Sequence, residues 1–199
     1  LDVSASLYLR VRIPELRAVD REISAVTGTR DRGYWKFVDL LRHLNRGRPA
    51  QITEMGSGRT SFVFAWYARH HGAAYEAFEQ DAEWADLVNG IIQRRLGFRP
   101  VRHCLVQARP LGACFDADIA PDADFVYVDA PSAHGGPWQT YTGKAAYYDA
   151  HDHLVAGNRP RRIVIDGRTD SADLLLSTAA SADYRFRGEF SWAIQRGKV

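Results

Sequence analysis

The sequence predicts an α/β protein with an open, mainly parallel sheet flanked by helices, two further helices at its N-terminal end and an antiparallel hairpin at its C-terminal end. From residue 50 onward, short apolar runs alternate with longer amphipathic segments. This alternation is typical of βαβ units and a parallel sheet. The rhythm breaks at the end, where two strand-like runs are joined at Gly188-Glu189, as in a hairpin.

Length and composition agree with a globular protein and exclude several classes. The chain has 199 residues, of which 46% are hydrophobic and 25% charged, which is enough for a sizeable core. No apolar run approaches 18 residues, so we expect no membrane partner. The net charge is only +2, and a dedicated nucleic-acid binder would show a larger basic excess.

The number and spacing of the cysteines bear on the cellular compartment of the protein. The two cysteines, Cys104 and Cys114, do not form a Cys-x-x-Cys pair, which fits a reducing cytoplasm. We therefore expect a cytoplasmic protein. The chain begins at Leu1 without a Met, which leaves open an upstream segment such as a cleaved signal peptide.

Residues 1–48 are predicted as an N-terminal helical extension to a main domain of residues 49–199. Pro14 opens the first helical segment and Gly28 closes it. Its apolar residues recur at helical spacing: Leu16, Val19, Ile23 and Val26. A second helix is predicted over Tyr34–Asn45. Two such helices could form a lid or the contact of a homodimer.

The main domain begins with a strand and then alternates. The predicted strands are Gln51–Met55, Tyr75–Phe78, Val101–Val106, Phe125–Val128, Arg162–Ile165, Tyr184–Arg187 and Phe190–Gln195. The predicted helices are Thr60–His71, Ala82–Leu96, Lys144–Ala156 and Ser171–Ala180.

The strongest chemical signal is the segment EMGSG, in which Glu54 precedes Gly56, Ser57 and Gly58. It lies between a predicted strand and a predicted helix. Glycines at such a turn let the backbone bend sharply and approach a ligand closely. The helix that follows offers unpaired N–H groups to a polar ligand.

Two acidic positions follow at strand ends. Glu79 ends the next strand, one βαβ step after the glycine turn, where an acid can accept both hydroxyls of a ribose. Asp81 fits the role of helix cap better, which leaves Glu79 free for a ligand. Asp129 ends the short apolar strand of DFVYVDAP, and because ligands of open parallel sheets bind at the carboxyl ends of the strands, it points into the same crevice.

A further aspartate leaves open the possibility of a metal site at the strand ends. Asp166 in RIVIDG ends the strand after that of Asp129. Two carboxylates at neighbouring strand ends can share a hard divalent cation, or each can cap the turn that follows its strand. The segment Asp149-Ala-His151-Asp-His153 is also rich in ligand types. It lies in a helical pattern, however, where His151 and His153 do not share a face, so we interpret it as surface polarity.

Together these pieces resemble the class I S-adenosylmethionine-dependent methyltransferases, which implies a Rossmann-like fold and S-adenosyl-L-methionine as the cofactor. The resemblance covers roughly residues 50–195 and rests on EMGSG, FEQD, VDAP, VIDG and the final hairpin. Within that family, the sequence is most similar to the small-molecule and sugar O-methyltransferases, such as the macrocin-type enzymes. The resemblance implies that Glu79 holds the ribose. It implies that the methionine portion is surrounded by Glu54, Gly56, Ser57 and Gly58, and that the adenine is bordered by Gln107 and Ala108.

The sequence departs from the family pattern at two positions. Thr60 replaces the usual third glycine. Asp166 is followed by Gly167 instead of a second Asp or Asn, which argues against a full metal triad.

His134 follows Asp129 in the loop, where a neutral imidazole could take the proton of an acceptor hydroxyl.

The function expected from the sequence is methyl transfer to a small hydroxylated molecule, through O-methylation, with Asp129 and His134 as candidate catalytic residues. One alternative is an NAD(P)-dependent oxidoreductase, because a glycine turn and a later acid also suit a dinucleotide. Against it, Tyr141 and Lys144 are one residue short of the Tyr-x-x-x-Lys spacing. Another alternative is a catalytically inactive cofactor-binding module of the same fold.

Overall fold

A computed structural model describes residues 8–9, 11–28, 34–110, 112–130, 146–166, 169–178, 182–187 and 191–195. After helical residues at 8–9 and 11–12, the helices α1 (Leu16–Thr27) and α2 (Tyr34–Gly47) follow, close to their predicted bounds. Helix α1 ends at Gly28, whose φ of 68° lies in the left-handed region and whose N–H donates to Ser24 O at 2.9 Å.

Strands and helices alternate as predicted up to the strand Val101–His103, and three strands that the sequence did not predict follow later. The strands are β1 (Gln51–Met55), β2 (Ala74–Glu79), β3 (Val101–His103), β4 (Val106–Arg109), β5 (Gly112–Phe115), β6 (Phe125–Val128), β7 (Ala146–Tyr147), β8 (Arg162–Ile165), β9 (Tyr184–Arg187) and β10 (Ser191–Gln195). The helices are α3 (Arg59–His71), α4 (Ala82–Leu96), α5 (Asp149–Val155) and α6 (Thr169–Leu176).

Seven strands form the main sheet, in the order β3-β2-β1-β6-β8-β10-β9. The first five are parallel, and β10 runs antiparallel to both β8 and β9. The predicted fold class, including the C-terminal antiparallel hairpin, is therefore confirmed. The strand order reverses between β1 and β6, and a crevice opens at such a switch point at the carboxyl ends of the strands.

Two apolar clusters hold the sheet, because alternate residues of each strand face opposite sides. One contains Ile52 and Tyr127 together with apolar residues of α1, α2, α3 and α4. The other contains Met55 and Val128 with residues of α5 and α6. The helices of the predicted 1–48 extension thus share a core with the sheet. Val26 is an exception to the predicted apolar face, since it lies in the last turn of α1 and is 63% exposed.

An ion pair fixes α1 to the start of α3. Arg59 Nε donates to Asp20 Oδ1 at 2.6 Å, and its Nη2 donates to Ser24 Oγ at 3.1 Å. Both partners of the ion pair are largely buried, so the contact is screened less than one at the surface. Helix α3 begins directly after the glycine turn, and α1 therefore helps to set the position of that turn.

A second sheet, in the order β4-β5-β7, was missed by the sequence prediction. The predicted strand Val101–Val106 divides at Cys104, whose N–H makes the last bond to β2, and Leu105 then turns outward with 69% of its surface exposed. The chain continues as β4, which pairs antiparallel with β5. The predicted helix Lys144–Ala156 is shortened at its start, because Ala146 and Tyr147 pair with β5 as β7.

The interpretation of the segment 149–153 as surface polarity is wrong for two of its residues. Asp149 and His153 are only 6% and 5% exposed. They are four residues apart on α5 and so share its inward face. His151 is half-buried and contacts the side chain of Asp152 instead.

None of the helices in the described part of the chain is long and apolar enough to cross a bilayer.

Candidate functional site

The turn between β1 and α3 lies at the switch point of the main sheet. Gly56 has a φ of 94°, and a Cβ on it would overlap the Cβ of Ala130 and lie 3.0 Å from its backbone nitrogen. Its N–H donates to Phe78 O at 2.8 Å, while Asp129 N and Ala130 N both donate to Met55 O. Only glycine fits this position, because it combines a positive φ with a close backbone approach.

Gly58 differs from Gly56 although both belong to the same motif. Its backbone is extended, with a φ of 173°, and a Cβ on it would meet no atom within 4 Å. Its N–H donates to Ser61 Oγ at 2.8 Å at the start of α3. The space over Gly58 is therefore open, as a close approach by a ligand requires.

Glu79, at the end of β2, holds the turn in place. Its Oε2 accepts hydrogen bonds from Ser57 N and Ser57 Oγ, both at 2.9 Å, and its Oε1 accepts one from Asp81 N at 3.1 Å. Trp84 Nε1 donates to Ser57 O at 2.8 Å. Asp81 caps α4 as expected, by accepting from Trp84 N. The sequence predicted that Glu79 would be free for a ligand, whereas in the structure its carboxylate already accepts hydrogen bonds from the turn.

These groups surround one cavity of about 340 Å³. Its walls come from the glycine turn, the end of β2, the first turn of α4 and the end of β6: Gly56, Ser57, Glu79, Gln80, Asp81, Trp84, Asp129 and Ala130. The structure thus brings Glu79 and Asp129 to the same cavity as the turn. Sequence reasoning missed Gln80 and Trp84, although both closely follow Glu79 along the chain.

Glu54 lies behind the turn. Its carboxylate is fully buried and accepts hydrogen bonds from Thr60 Oγ1 at 2.5 Å, Ser61 Oγ at 2.6 Å and Tyr75 OH at 2.5 Å. Burial raises the pKa of Glu54 to about 7; the three hydroxyl groups oppose the rise, and the charge of Asp129 adds to it. Thr60, where the family pattern has glycine, is one of the hydrogen-bond donors.

The residues expected at the adenine lie elsewhere. Gln107 and Ala108 belong to β4 of the second sheet, and both are exposed. Gln107 Nε2 donates to Asp116 Oδ1 at 2.6 Å, and Gln107 lines a second cavity of about 490 Å³. The structure therefore does not bring these two residues to the cavity at the glycine turn.

Asp166 follows β8 as Asp129 follows β6, and its N–H donates to Val128 O at 2.9 Å. Its carboxylate accepts from Lys36 Nζ and, at 2.5 Å, from Tyr127 OH. Within the described ranges, no three side chains of metal-ligating type come together. His134 lies outside the described residues, as do Tyr141 and Lys144.

Comparisons with known proteins identify the fold. No protein-family model matches the chain, and no curated protein matches it. The chain is similar to the crystal structure of a candidate O-methyltransferase from Klebsiella pneumoniae, with 15% identity, 96% of each chain covered and a TM-score of 0.57. It is also similar to that of a candidate caffeoyl-CoA O-methyltransferase from Staphylococcus aureus, with 9% identity, 98% of this chain and 100% of the other covered, and a TM-score of 0.58.

The chain shares the fold of these two structures, and it is the Rossmann-like fold that the sequence resemblance implied. The two matches cover 96% and 98% of this chain, whose main sheet is parallel apart from its C-terminal hairpin. At this level of identity the likeness establishes the architecture. The chemistry has to be argued from the cavity itself.

The two glycines of the turn allow a matched pair of substitutions. We expect Gly56→Ser to lower the free energy of unfolding by more than about 1 kcal/mol, because serine is strained at positive φ and would overlap Ala130. Gly58→Ser should change it by less than about 0.5 kcal/mol, because the space is open and serine is a good helix N-cap. Urea unfolding of both variants measures the difference. Equal losses would contradict the assigned backbone roles.

Glu54 should leave a signature in the pH dependence of stability. Its folded-state pKa of about 7 lies above the usual carboxyl value, so the folded protein keeps a proton that the unfolded chain has released. This contribution is present at low pH and lost as the pH rises through 7. The stability of wild type relative to Glu54→Gln should therefore fall by roughly 2.5 kcal/mol between pH 5 and pH 8. Glu83→Gln, at an exposed position, is the control. Parallel curves for wild type and Glu54→Gln would refute the raised pKa.

Proposed function

We propose that the protein transfers a methyl group from S-adenosyl-L-methionine to a hydroxyl group of a small molecule. The observation that carries this proposal is the meeting of a glycine turn with two carboxylates in one cavity. Glu79 and Asp129 lie there beside Gly56, at the carboxyl ends of three adjacent parallel strands. When bound, S-adenosyl-L-methionine supplies an electrophilic methyl group on a positively charged sulfur.

The glycine turn fits the methionine portion of that cofactor. The open space at Gly58 lets a ligand approach the backbone, and the start of α3 offers N–H groups to a carboxylate. Ser57 lies between the two glycines on the cavity wall. Glu54 supports this arrangement from behind, because its hydrogen bonds hold Thr60 and Ser61 in the first turn of α3.

Glu79 retains the capacity to accept ribose hydroxyls. A carboxylate offers about four acceptor positions, and three are used by Ser57 and Asp81. One position remains on Oε1, and a second becomes available when the Ser57 hydroxyl rotates away. The ribose would thus replace a contact made by a serine side chain, at little cost in hydrogen bonds.

Gln80 is the better candidate for contact with adenine, given that Gln107 and Ala108 lie on the second sheet. Its Oε1 is buried and has no hydrogen-bond partner among the described residues, and Gln80 lines the cavity. An amide oxygen accepts from an amino group such as that of adenine. Trp84 forms the neighbouring wall and offers apolar surface to a planar ring.

Asp129 is placed to act on the methyl acceptor. Its position at the end of β6, beside Gly56, suits a carboxylate that orients the acceptor hydroxyl. With the cofactor bound, the Asp129 carboxylate would accept the proton of the acceptor hydroxyl as that oxygen takes up the methyl group. Asp166 already pairs with Lys36 and Tyr127, which favours direct action by Asp129 over a cation shared with Asp166. His134 stays the alternative base.

The ribose contact is tested by Glu79→Ala. We expect S-adenosylhomocysteine to bind this variant more weakly by about 2 kcal/mol, roughly 30-fold in Kd, because charge-assisted hydrogen bonds are lost. Isothermal titration calorimetry measures the change, with Glu83→Ala as the exposed acidic control.

Ser57→Ala separates this direct role of Glu79 from its hold on the turn. It removes the hydroxyl contact and keeps the carboxylate, so binding should be unchanged or tighter. If Ser57→Ala weakens binding as much as Glu79→Ala, Glu79 acts through the turn and does not contact the ribose.

The catalytic role of Asp129 is tested by Asp129→Asn. We expect turnover to fall by at least about 100-fold, since a positioned base is lost, while affinity for S-adenosylhomocysteine stays within about twofold. Turnover is followed as S-adenosylhomocysteine release with a panel of phenols, catechols and sugars. Wild-type turnover in the variant would remove Asp129 from the mechanism. Activity that chelator abolishes and magnesium restores would indicate a shared cation instead.

A further inference from the structure

A lysine from the N-terminal helices reaches the strand ends at the edge of the sheet where the candidate site lies. Lys36 belongs to the first turn of α2, and its ammonium group donates to Asp166 Oδ2, 130 residues further along the chain. The two side chains are 23% and 12% exposed, so solvent screens this ion pair less than a pair at the surface. The predicted 1–48 extension therefore contributes a charged group to this edge.

The helix α2 does not by itself explain the position of Lys36. The first turn of a helix carries a partial positive charge from its unpaired N–H groups, and a cation is disfavoured there. The first turn of α2 contains no acidic residue that could compensate. Asp166 supplies the compensating charge, and its contact with Lys36 requires α2 to lie against this end of the sheet.

Asp129 and Asp166 follow each other across the sheet at that edge. The parallel strands β6 and β8 pair Val128 with Ile165, so the next residue on each strand is one of the two aspartates. Burial, and then the negative charges of Asp129 and Asp166, raise the pKa of Tyr127, whose hydroxyl therefore lies close to both carboxylates. This hydroxyl donates to Asp166 Oδ2 at 2.5 Å, the oxygen that also accepts from the lysine.

Two neighbouring carboxylates repel each other unless a positive charge lies near both. A divalent cation is one source of that charge, and it needs carboxylate oxygens that are free to coordinate it. Here Lys36 and Tyr127 already donate to Oδ2 of Asp166, and the ammonium charge repels a second cation at this place. The next residue, Gly167, has no side chain that could add a ligand. These donors fit a cation that the chain itself supplies.

We propose that Lys36 is the built-in cation of the acceptor site and holds the place that a divalent cation would take between Asp129 and Asp166. This inference deepens the proposed methyl transfer and rests on it for the identity of the acceptor site. The ammonium group offsets negative charge at the strand ends and holds Asp166, which leaves Asp129 to face the acceptor hydroxyl. Lys36 is thus a positioning residue, and α2 is part of the site.

Binding of Mn²⁺ tests the proposal without any measurement of turnover. Lys36→Met keeps an unbranched side chain and removes the charge, so Mn²⁺ should bind this variant at least about tenfold more tightly than wild type, because the repelling ammonium is gone and the carboxylates remain. Lys36→Arg keeps a cation and should bind Mn²⁺ as weakly as wild type. Electron paramagnetic resonance measures the fraction of free Mn²⁺ as each intact chain is titrated.

A matched control and a second substitution locate the gained site. Arg42→Met removes another cation of α2, which pairs with Asp39 at an exposed position, and should leave Mn²⁺ affinity unchanged. Asp166→Asn, added to Lys36→Met, should abolish the gained binding. Mg²⁺ should raise the Tm of Lys36→Met and leave that of wild type and Arg42→Met unchanged, because a ligand stabilises only the chain that binds it.

The results separate this inference from the proposed function. Equal Mn²⁺ affinity in wild type and Lys36→Met would overturn the role of Lys36, as would a gain that Asp166→Asn does not remove. Lys36→Gln, which can still donate to Asp166, takes the place of Lys36→Met if that variant does not fold, and the same outcomes apply to it. A failure of the wild-type chain to bind S-adenosylhomocysteine would instead contradict methyl transfer, whatever the Mn²⁺ titrations show.

Discussion

The buried carboxylate of Glu54 joins the elements on which the candidate site depends. It lies on β1 and accepts hydroxyl groups from the first turn of α3 and from Tyr75 on β2. Ser61 passes the constraint on, since its hydroxyl donates to Glu54 and accepts from Gly58 N. A buried carboxyl is costly unless its hydrogen bonds are complete. Three hydroxyl donors offset part of that cost and fix the turn at the same time.

The two ends of the glycine turn are therefore held from different sides. Glu54 holds the start of α3 from beneath, whereas Glu79 and Trp84 hold Ser57 from the cavity side. The contact with Glu54 is closed to solvent, and Glu79 lines an open cavity. A ligand can exchange with the contacts of Glu79 but not with those of Glu54. Glu54 therefore shapes the site, whereas Glu79 can contact a ligand in it.

Local patterns were sufficient to predict the main sheet and the positions of Glu79 and Asp129, because strand ends in a parallel sheet meet at one edge. The second sheet was not predictable, because β4, β5 and β7 are short and pair across a distance in the chain that periodicity does not report. For the same reason, the sequence prediction placed Gln107 at the wrong cavity and did not identify the inward face of α5. Burial of Asp149 and His153 depends on that sheet, whose strand β5 supplies the N–H bound by Asp149.

The account depends most on the nature of the ligand over the glycine turn. Parallel calorimetric titrations of the intact chain with S-adenosylhomocysteine and with NAD measure this directly. We expect micromolar affinity for S-adenosylhomocysteine and no detectable heat with NAD, because the proposed roles of the glycine turn and of Glu79 require a single adenosine with a methionine tail. Micromolar binding of NAD without binding of S-adenosylhomocysteine would contradict the proposal and restore the dinucleotide alternative.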